Sequence, residues 1–178
     1  QVTVMMVSLS DLPEIRALTE GHVDLDSALH AANERFVQLR EVIRRYDGVL
    51  NKIAVSPHDT YLMVLFGAPY AHDDDPLRAV LAALELQEKV PIPLRFGINT
   101  GYVFAGDVGS AERREYTVMG DEVNLAARLM SACCPGEVWL GPKTAQHPGI
   151  RNRALGESAP PIALPGKLDL IAPFVARG

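Results

Sequence analysis

The chain opens on an unbroken apolar stretch. Val2 to Leu9 carries β-branched residues and methionine with little polar interruption, the pattern of a short buried strand. Asp11 then reads as the cap of a short helix starting at Pro13. From Ser27 to Tyr46 the period changes. Leu29, Ala32, Phe36, Leu39, Val42 and Ile43 recur at helical spacing and predict an amphipathic helix that Asp47-Gly48 ends. Val49 to Val55 and Tyr61 to Phe66 predict two strands of a hairpin, joined across the polar stretch from Ser56 to Asp59. The order to this point is βαββ.

Asp75-Pro76 supplies an N-cap and a proline at the first helical position, predicting a helix from Pro76 to Lys89. Leu94 to Thr100 and Tyr102 to Val108 follow as strands around Gly101, which suits a tight turn or a close backbone approach to a ligand. A short strand leads into the next helix, with Gly120 as the turn, Asp121 as N-cap and Leu125, Ala126 and Leu129 as the buried stripe. Beyond it come a strand at Glu137 to Leu140, a brief helix near Lys143 and a proline-rich end with one or two edge strands. There are no internal repeats. The order predicts an α/β (α+β) sandwich, one antiparallel or mixed sheet covered by helices on one main face.

With 178 residues, 48% of them hydrophobic, the chain is long enough for one well-buried core and short for two. It reads as a single domain, 1–178, excised from something longer, because it enters an apolar strand at once. A net charge of −5 argues against a nucleic-acid groove or an anionic membrane surface as main partner, so a polyanionic ligand needs a local basic pocket. No apolar run approaches the roughly 18 residues of a membrane span, and nothing in the sequence resembles a cleavable signal. A cytoplasmic location is expected. Cys133 and Cys134, without a second CxxC or a histidine pair, suggest neither a zinc site nor a disulfide framework, and read as small buried residues at a helix end.

Candidate chemistry concentrates between Arg113 and Met130. Asn124 and Arg128, at i and i+4, share one face of their helix and can reach one ligand together. A guanidinium with an amide beside it suits charge developing on phosphate oxygens. Taken alone, the pair also suits a solvated face or an ion pair. The run Asp73, Asp74, Asp75 beside His72 reads as an acidic helix start favoured by the macrodipole rather than a metal site. Phe96, Asn99 and Thr100 read as packing or interface residues.

LRFGINTGYVFAGDVGS followed by RREYTVMGDEVNLAAR resembles the signature region of adenylyl and guanylyl cyclase catalytic domains. PYAHDDDPLRAVLAALELQ resembles the segment those domains carry before it. The likeness, to the class III nucleotidyl cyclases, runs from Val2 to about Val175. It implies a ferredoxin-like βαββαβ core with extra C-terminal strands, and an active site shared by two complementary halves. Similar cyclases use two aspartates to hold the metal ions that activate the ribose 3′-hydroxyl and neutralise the phosphates. The resemblance puts Ser8 and Ser56 at those positions, with Asp11 and Asp59 as alternative carboxylates in a shifted register. The loop that wraps the triphosphate in catalytic halves reads here as SDLPE, where Pro13 removes a donor and Asp11 and Glu14 repel phosphate.

For the complementary half the resemblance implies that Lys52 donates to adenine N1, Thr117 accepts from the adenine amine, Asn124 orients the ribose and Arg128 steadies the transition state. A guanine-selective site of this family carries a glutamate in place of the lysine. Thr117 in place of an aspartate resembles the soluble, bicarbonate-responsive subclass. The expectation is a C2-type half of an adenylyl cyclase that makes cyclic AMP and pyrophosphate from ATP. Mg2+ or Mn2+ is expected only through a C1-type partner domain, on the same chain or another subunit, and a homodimer of this domain is expected to be inactive. The alternative is an inactive cyclase-homology domain acting as a dimerisation or regulatory module.

Overall fold

A computed structural model describes residues 1–20, 24–55, 60–109, 114–163 and 170–177, with backbone alone at 19, 20, 55, 107–109 and 114–117. The first strand, β1 (Val2–Ser8), is buried at every position. It pairs antiparallel on one side with β3 (Thr60–Phe66) and on the other with β4 (Arg95–Gly101). A strand with neighbours on both edges and helices on both faces has no solvent side. Alternation therefore disappears from its sequence.

The other elements, in chain order, are α1 (Pro13–Glu20), α2 (Leu25–Arg45), β2 (Val49–Val55), α3 (Asp75–Lys89), the hairpin β5 (Phe104–Gly109) and β6 (Arg114–Met119), α4 (Asp121–Ala132), β7 (Val138–Leu140), α5 (Pro142–Ala145), α6 (Pro148–Arg151), β8 (Glu157–Ser158) and β9 (Phe174–Ala176). The main sheet runs β2-β3-β1-β4-β7-β9-β8, and β5 with β6 forms a separate two-stranded sheet. Its first four strands, with α2 and α3, form the expected ferredoxin-like βαββαβ core. β7 adds in parallel to β4, and β9 and β8 continue antiparallel, so the extended sheet is mixed.

Helices cover both faces rather than one. Met5, Val7 and Leu9 share a core with Leu39 and Ile43 of α2 and Val80 and Ala83 of α3. Val4 and Met6 point the other way and pack with Val123, Ala126 and Met130 of α4. Periodicity identifies an apolar stripe on each helix but not the sheet face that receives it. Leu29 is a second departure. It is 50% exposed, while Ala28 of the preceding position is buried, so the buried stripe enters α2 through Ala28 and Ala32; the helix also begins two residues earlier than expected. Asp24 is its N-cap, its carboxylate accepting from Ser27 N–H at 3.3 Å. Such a cap replaces one of the amide partners that a helix start lacks.

α3 starts at Asp75, with Asp74 at the cap position, one residue before the expected boundary. Asp74 spends its carboxylate on Arg78 Nε at 2.7 Å, and the buried Asp75 accepts from His72 N–H at 2.8 Å. The acidic run is thus a helix start, as its sequence suggests. Cys133 is buried at the end of α4, but Cys134 is exposed, so only the first follows the expectation for the pair. Among the described residues, no helix is long and apolar enough to cross a membrane.

Candidate functional site

α4 carries the candidate transition-state residues, and glycine decides where it lies. At the middle of the helix, Gly97 of β4 lets the backbones meet: a Cβ there would fall 2.1 Å from the Ala126 carbonyl oxygen and 2.4 Å from Met130 N. At its start, Gly120 is the N-cap with φ 147°, a conformation that L side chains rarely adopt, and Asp121 is the first helical residue rather than the cap. Leu125 and Leu129 pack on one flank with Trp139, Ile162 and Ile171. Val123, Ala126 and Met130 face the sheet. At about 100° per residue, Asn124 and Arg128 are left on the outer side of the helix, away from the sheet. Asn124 is exposed and Arg128 half-buried. Among the described residues, neither side chain has a hydrogen-bond or ion-pair partner.

Lys52 reaches the same face through a bulge. Leu50 lies opposite Val64 and Lys52 opposite Met63, leaving Asn51 as the extra residue. Directly opposed residues share a face. Without the inserted residue Lys52 would follow Leu50 to the α2 side, since a one-residue slip reverses every side chain. Met63 opposes Met6, and Met6 opposes Gly97, so Lys52 begins a row that crosses the sheet to the seat of α4. Three strand spacings separate its ends, about 15 Å. Lys52 is exposed, on the edge strand of the sheet. Lys52, on the edge strand, and α4, which carries Asn124 and Arg128, therefore lie on one side of the sheet, three strand spacings apart.

Thr117 lies on β6 opposite Gly106. Ser56 and Asp59 fall outside the described residues.

The end of β1 has a different character. Ser8 is buried, and its hydroxyl accepts from Arg95 at 2.9 Å. Asp11, read from sequence as a helix cap or substitute carboxylate, lies beyond with an oxygen 3.7 Å from Arg95 Nε. A neutral hydroxyl bonded to a guanidinium is a poor divalent-cation ligand. Among the described residues, no group of three or more His, Cys, Asp or Glu side chains is placed to hold a metal ion. The donors at Ser8 do not fit a divalent cation.

Phe96, Asn99 and Thr100 are buried, which agrees with their reading as packing residues. Gly101 does approach something closely, but it is protein rather than ligand: a Cβ there would lie 2.5 Å from the Glu122 side chain. Nothing in the sequence pattern singles out Arg95 or Glu122, because each owes its position to contacts between distant elements. The signals available for α4 are the glycines. Gly97 and Gly101 in a strand mark a close approach without naming the approaching group.

Comparison with known proteins agrees with the fold. The family model for the adenylate and guanylate cyclase catalytic domain matches residues 1–171. Adenylate cyclase 1 of Rhizobium meliloti (strain 1021) is 30% identical over 142 residues, covering 72% of this chain and 20% of its own length. Adenylate cyclase type 10 of Homo sapiens is 31% identical over 135 residues, covering 72% of this chain and 8% of its own. The chain thus spans a fifth or less of these relatives. The crystal structure of the adenylyl cyclase CyaB from P. aeruginosa superimposes with a TM-score of 0.84 at 24% identity, covering 99% of this chain and 93% of that one, which shows a shared fold.

Proposed function

The chain belongs to the adenylate and guanylate cyclase catalytic domain family, and we propose that it serves as the C2-type half of an adenylyl cyclase site. The supporting observation is an asymmetry. Lys52, Asn124 and Arg128 lie on one side of the sheet without partners among the described residues, while the end of β1 presents a buried serine bonded to Arg95. In this reading the site is completed by a C1-type partner domain, and Mg2+ or Mn2+ belongs to the partner's carboxylates. The product is cyclic AMP, with pyrophosphate leaving.

The roles follow from the chemistry of each group. Lys52 donates to adenine N1, where a guanine site needs an acceptor. Thr117 accepts from the exocyclic amine of adenine. Asn124 orients the ribose so that its 3′-oxygen faces the α-phosphorus, removing rotational freedom before reaction. Arg128 stabilises the negative charge that grows on the α-phosphate oxygens as the 3′-oxygen attacks. Its planar fork of donors is rigid, so little reorganisation is needed when the charge appears.

The test is complementation. The purified chain, mixed with a metal-competent C1-type cyclase domain, is expected to raise cyclic AMP production from Mn-ATP above that of the C1-type domain alone, and Arg128→Ala is expected to abolish the gain. A mixture that stays at background overturns the proposal and leaves the alternative, a dimerisation or regulatory module.

A further inference from the structure

The first turn of α4 is tied to β4 and α5 by the Glu122 side chain, which is not part of the proposed site. Glu122 lies in the first turn of the helix. Asn99, buried on β4, donates through Nδ2 to the Glu122 carbonyl oxygen at 3.1 Å and to its carboxylate Oε2 at 2.6 Å. Lys143 donates to the other oxygen, Oε1, at 2.8 Å. Lys143 is itself placed by α5, whose Thr144 is fully buried and joined through hydroxyls to Thr100, at 2.9 Å, and from there to Thr3 on β1, also at 2.9 Å. Two glycines clear the space. A Cβ on Gly101 would collide with the Glu122 side chain, and one on Gly141 would lie 2.1 Å from Asn99 Oδ1.

No capping side chain fixes the start of α4. Gly120 has no side chain to bind the first-turn amides. The approach at Gly97 sets the height of α4 near its middle, and the packing of Val123, Ala126, Met130, Leu125 and Leu129 holds it by non-directional apolar contact. Glu122 adds a directional, hydrogen-bonded contact in the first turn. Asn124 follows it by two residues, about 200° around the axis, and Arg128 by six, a net of about 240°, so the pin and the presented residues are on different sides of the helix. On a helix about 10–12 Å across, a roll of roughly 10° carries an outward side-chain tip by about 1 Å. A misplacement of about 1 Å can cost on the order of 100-fold in rate.

We propose that Glu122, gripped by Asn99 and Lys143, is a positioning residue that fixes the roll of α4 and thereby aims Asn124 and Arg128. Its catalytic consequence rests on the composite-site reading above; its structural consequence does not.

Hydrogen exchange of the chain decides the structural part. Glu122→Ala removes a charge-assisted bond and is expected to raise exchange of the amides from Val123 to Arg128 roughly tenfold or more, with β1 and α3 unchanged. Unchanged exchange in α4 overturns the proposal, and so does a uniform rise across the domain, which marks general destabilisation. Glu122→Gln keeps the Asn99 bond and loses only the exposed pair with Lys143, so it is expected to stay within about threefold of the unmodified chain. Should the alanine variant fail to fold, an Asn99→Ala variant whose exchange from Val123 to Arg128 rises roughly tenfold or more supports the pin, and one that leaves α4 protected overturns it.

Turnover in the complemented mixture tests the aim. Glu122→Ala is expected to lower kcat by about 10-fold to 100-fold while the KM for ATP stays within about twofold. An unaltered kcat overturns the positioning role. If the unmodified chain adds nothing to the mixture, the composite-site reading fails, and hydrogen exchange still decides for or against the pin.

Discussion

Gly97→Ala is the smallest change that reaches the seat of α4. The new methyl carbon would sit 2.1 Å from the Ala126 carbonyl oxygen and 2.4 Å from Met130 N. Ordinary carbon contacts lie near 3.5 Å, so α4 and β4 must part by roughly 1 Å or more. Both clashing atoms are helix backbone, and no rotamer change relieves them. Separation also loosens Ala126 and Met130, which are 0% and 2% exposed. Overpacking of this kind costs about 1–3 kcal/mol, and with no flexible neighbour the upper half of that range applies. For a domain of this size the unfolding midpoint is then expected to fall by roughly 4–12 °C. Gly106→Ala is the control, because its Cβ would meet only ordinary contacts of 3.4 Å and 3.6 Å with the Phe104 ring. It is expected to stay within about 0.5 kcal/mol of the unmodified chain. Urea titration of the three proteins measures both effects, with an unchanged m-value showing that the unfolded state is not the source. If Gly97→Ala matches the control, the close approach is wrong, and so is the placement of Asn124 and Arg128 that depends on it.

Arg128→Ala should leave the urea midpoint within about 0.5 kcal/mol of the unmodified chain, since the side chain has no partner among the described residues. In the complemented mixture it should lower turnover about 100-fold to 1000-fold; a large loss of stability would instead assign the residue a structural task. Burial pushes the Cys133 thiol up to about 12, whereas Cys134 is exposed. A disulfide reagent at pH 8 should therefore modify one thiol quickly and the second only on unfolding, because the thiolate is the reactive form; two equally fast thiols would contradict the packing of Cys133. Acid should destabilise the domain in a defined direction. The hydrogen bond from Arg78 holds the Asp74 carboxyl below its ordinary 3.8, and the hydrogen bond from Lys89 holds Glu85 below its ordinary 4.5. A folded-state value below the unfolded one gives stability that is present above the ordinary value and lost as pH falls through the folded one. Thermal midpoints should thus decline as pH drops below 4.5 and then 3.8, and a midpoint that rises over this window would contradict these pairings.

Much of the architecture is legible in the chain because burial writes itself into residue type. The unbroken run of β1 announces a central strand, and the spacing of Leu39, Val42 and Ile43 announces the buried side of α2. What sequence withholds is the partner. The stripe on α4 is plain, but only the glycine at 97 and the β1 residues Val4 and Met6 decide that it lies on the face opposite α2. The bulge at Asn51 is equally silent. Nothing about Leu50-Asn51-Lys52 as letters says that one residue is extra, yet that residue sends Lys52 to the face of Asn124 and Arg128. Tyr102 and Phe104 show a third limit. They read as strand residues by type, but the strand starts at Phe104, and both side chains are mostly exposed. Glu122 stands for the general difficulty: its importance lies in Asn99 and Lys143, 23 and 21 residues away, which no local pattern joins.

The most direct test of the asymmetry uses a crippled partner. A metal-competent cyclase domain whose own adenine-binding lysine and transition-state arginine have been replaced cannot complete a site with a copy of itself. Cyclic AMP formation from Mn-ATP should appear when this chain is added, and should vanish with the Arg128→Ala variant. No activity with the unmodified chain, or equal activity with the variant, would contradict the assignment of Lys52, Asn124 and Arg128 as the half-site this domain contributes.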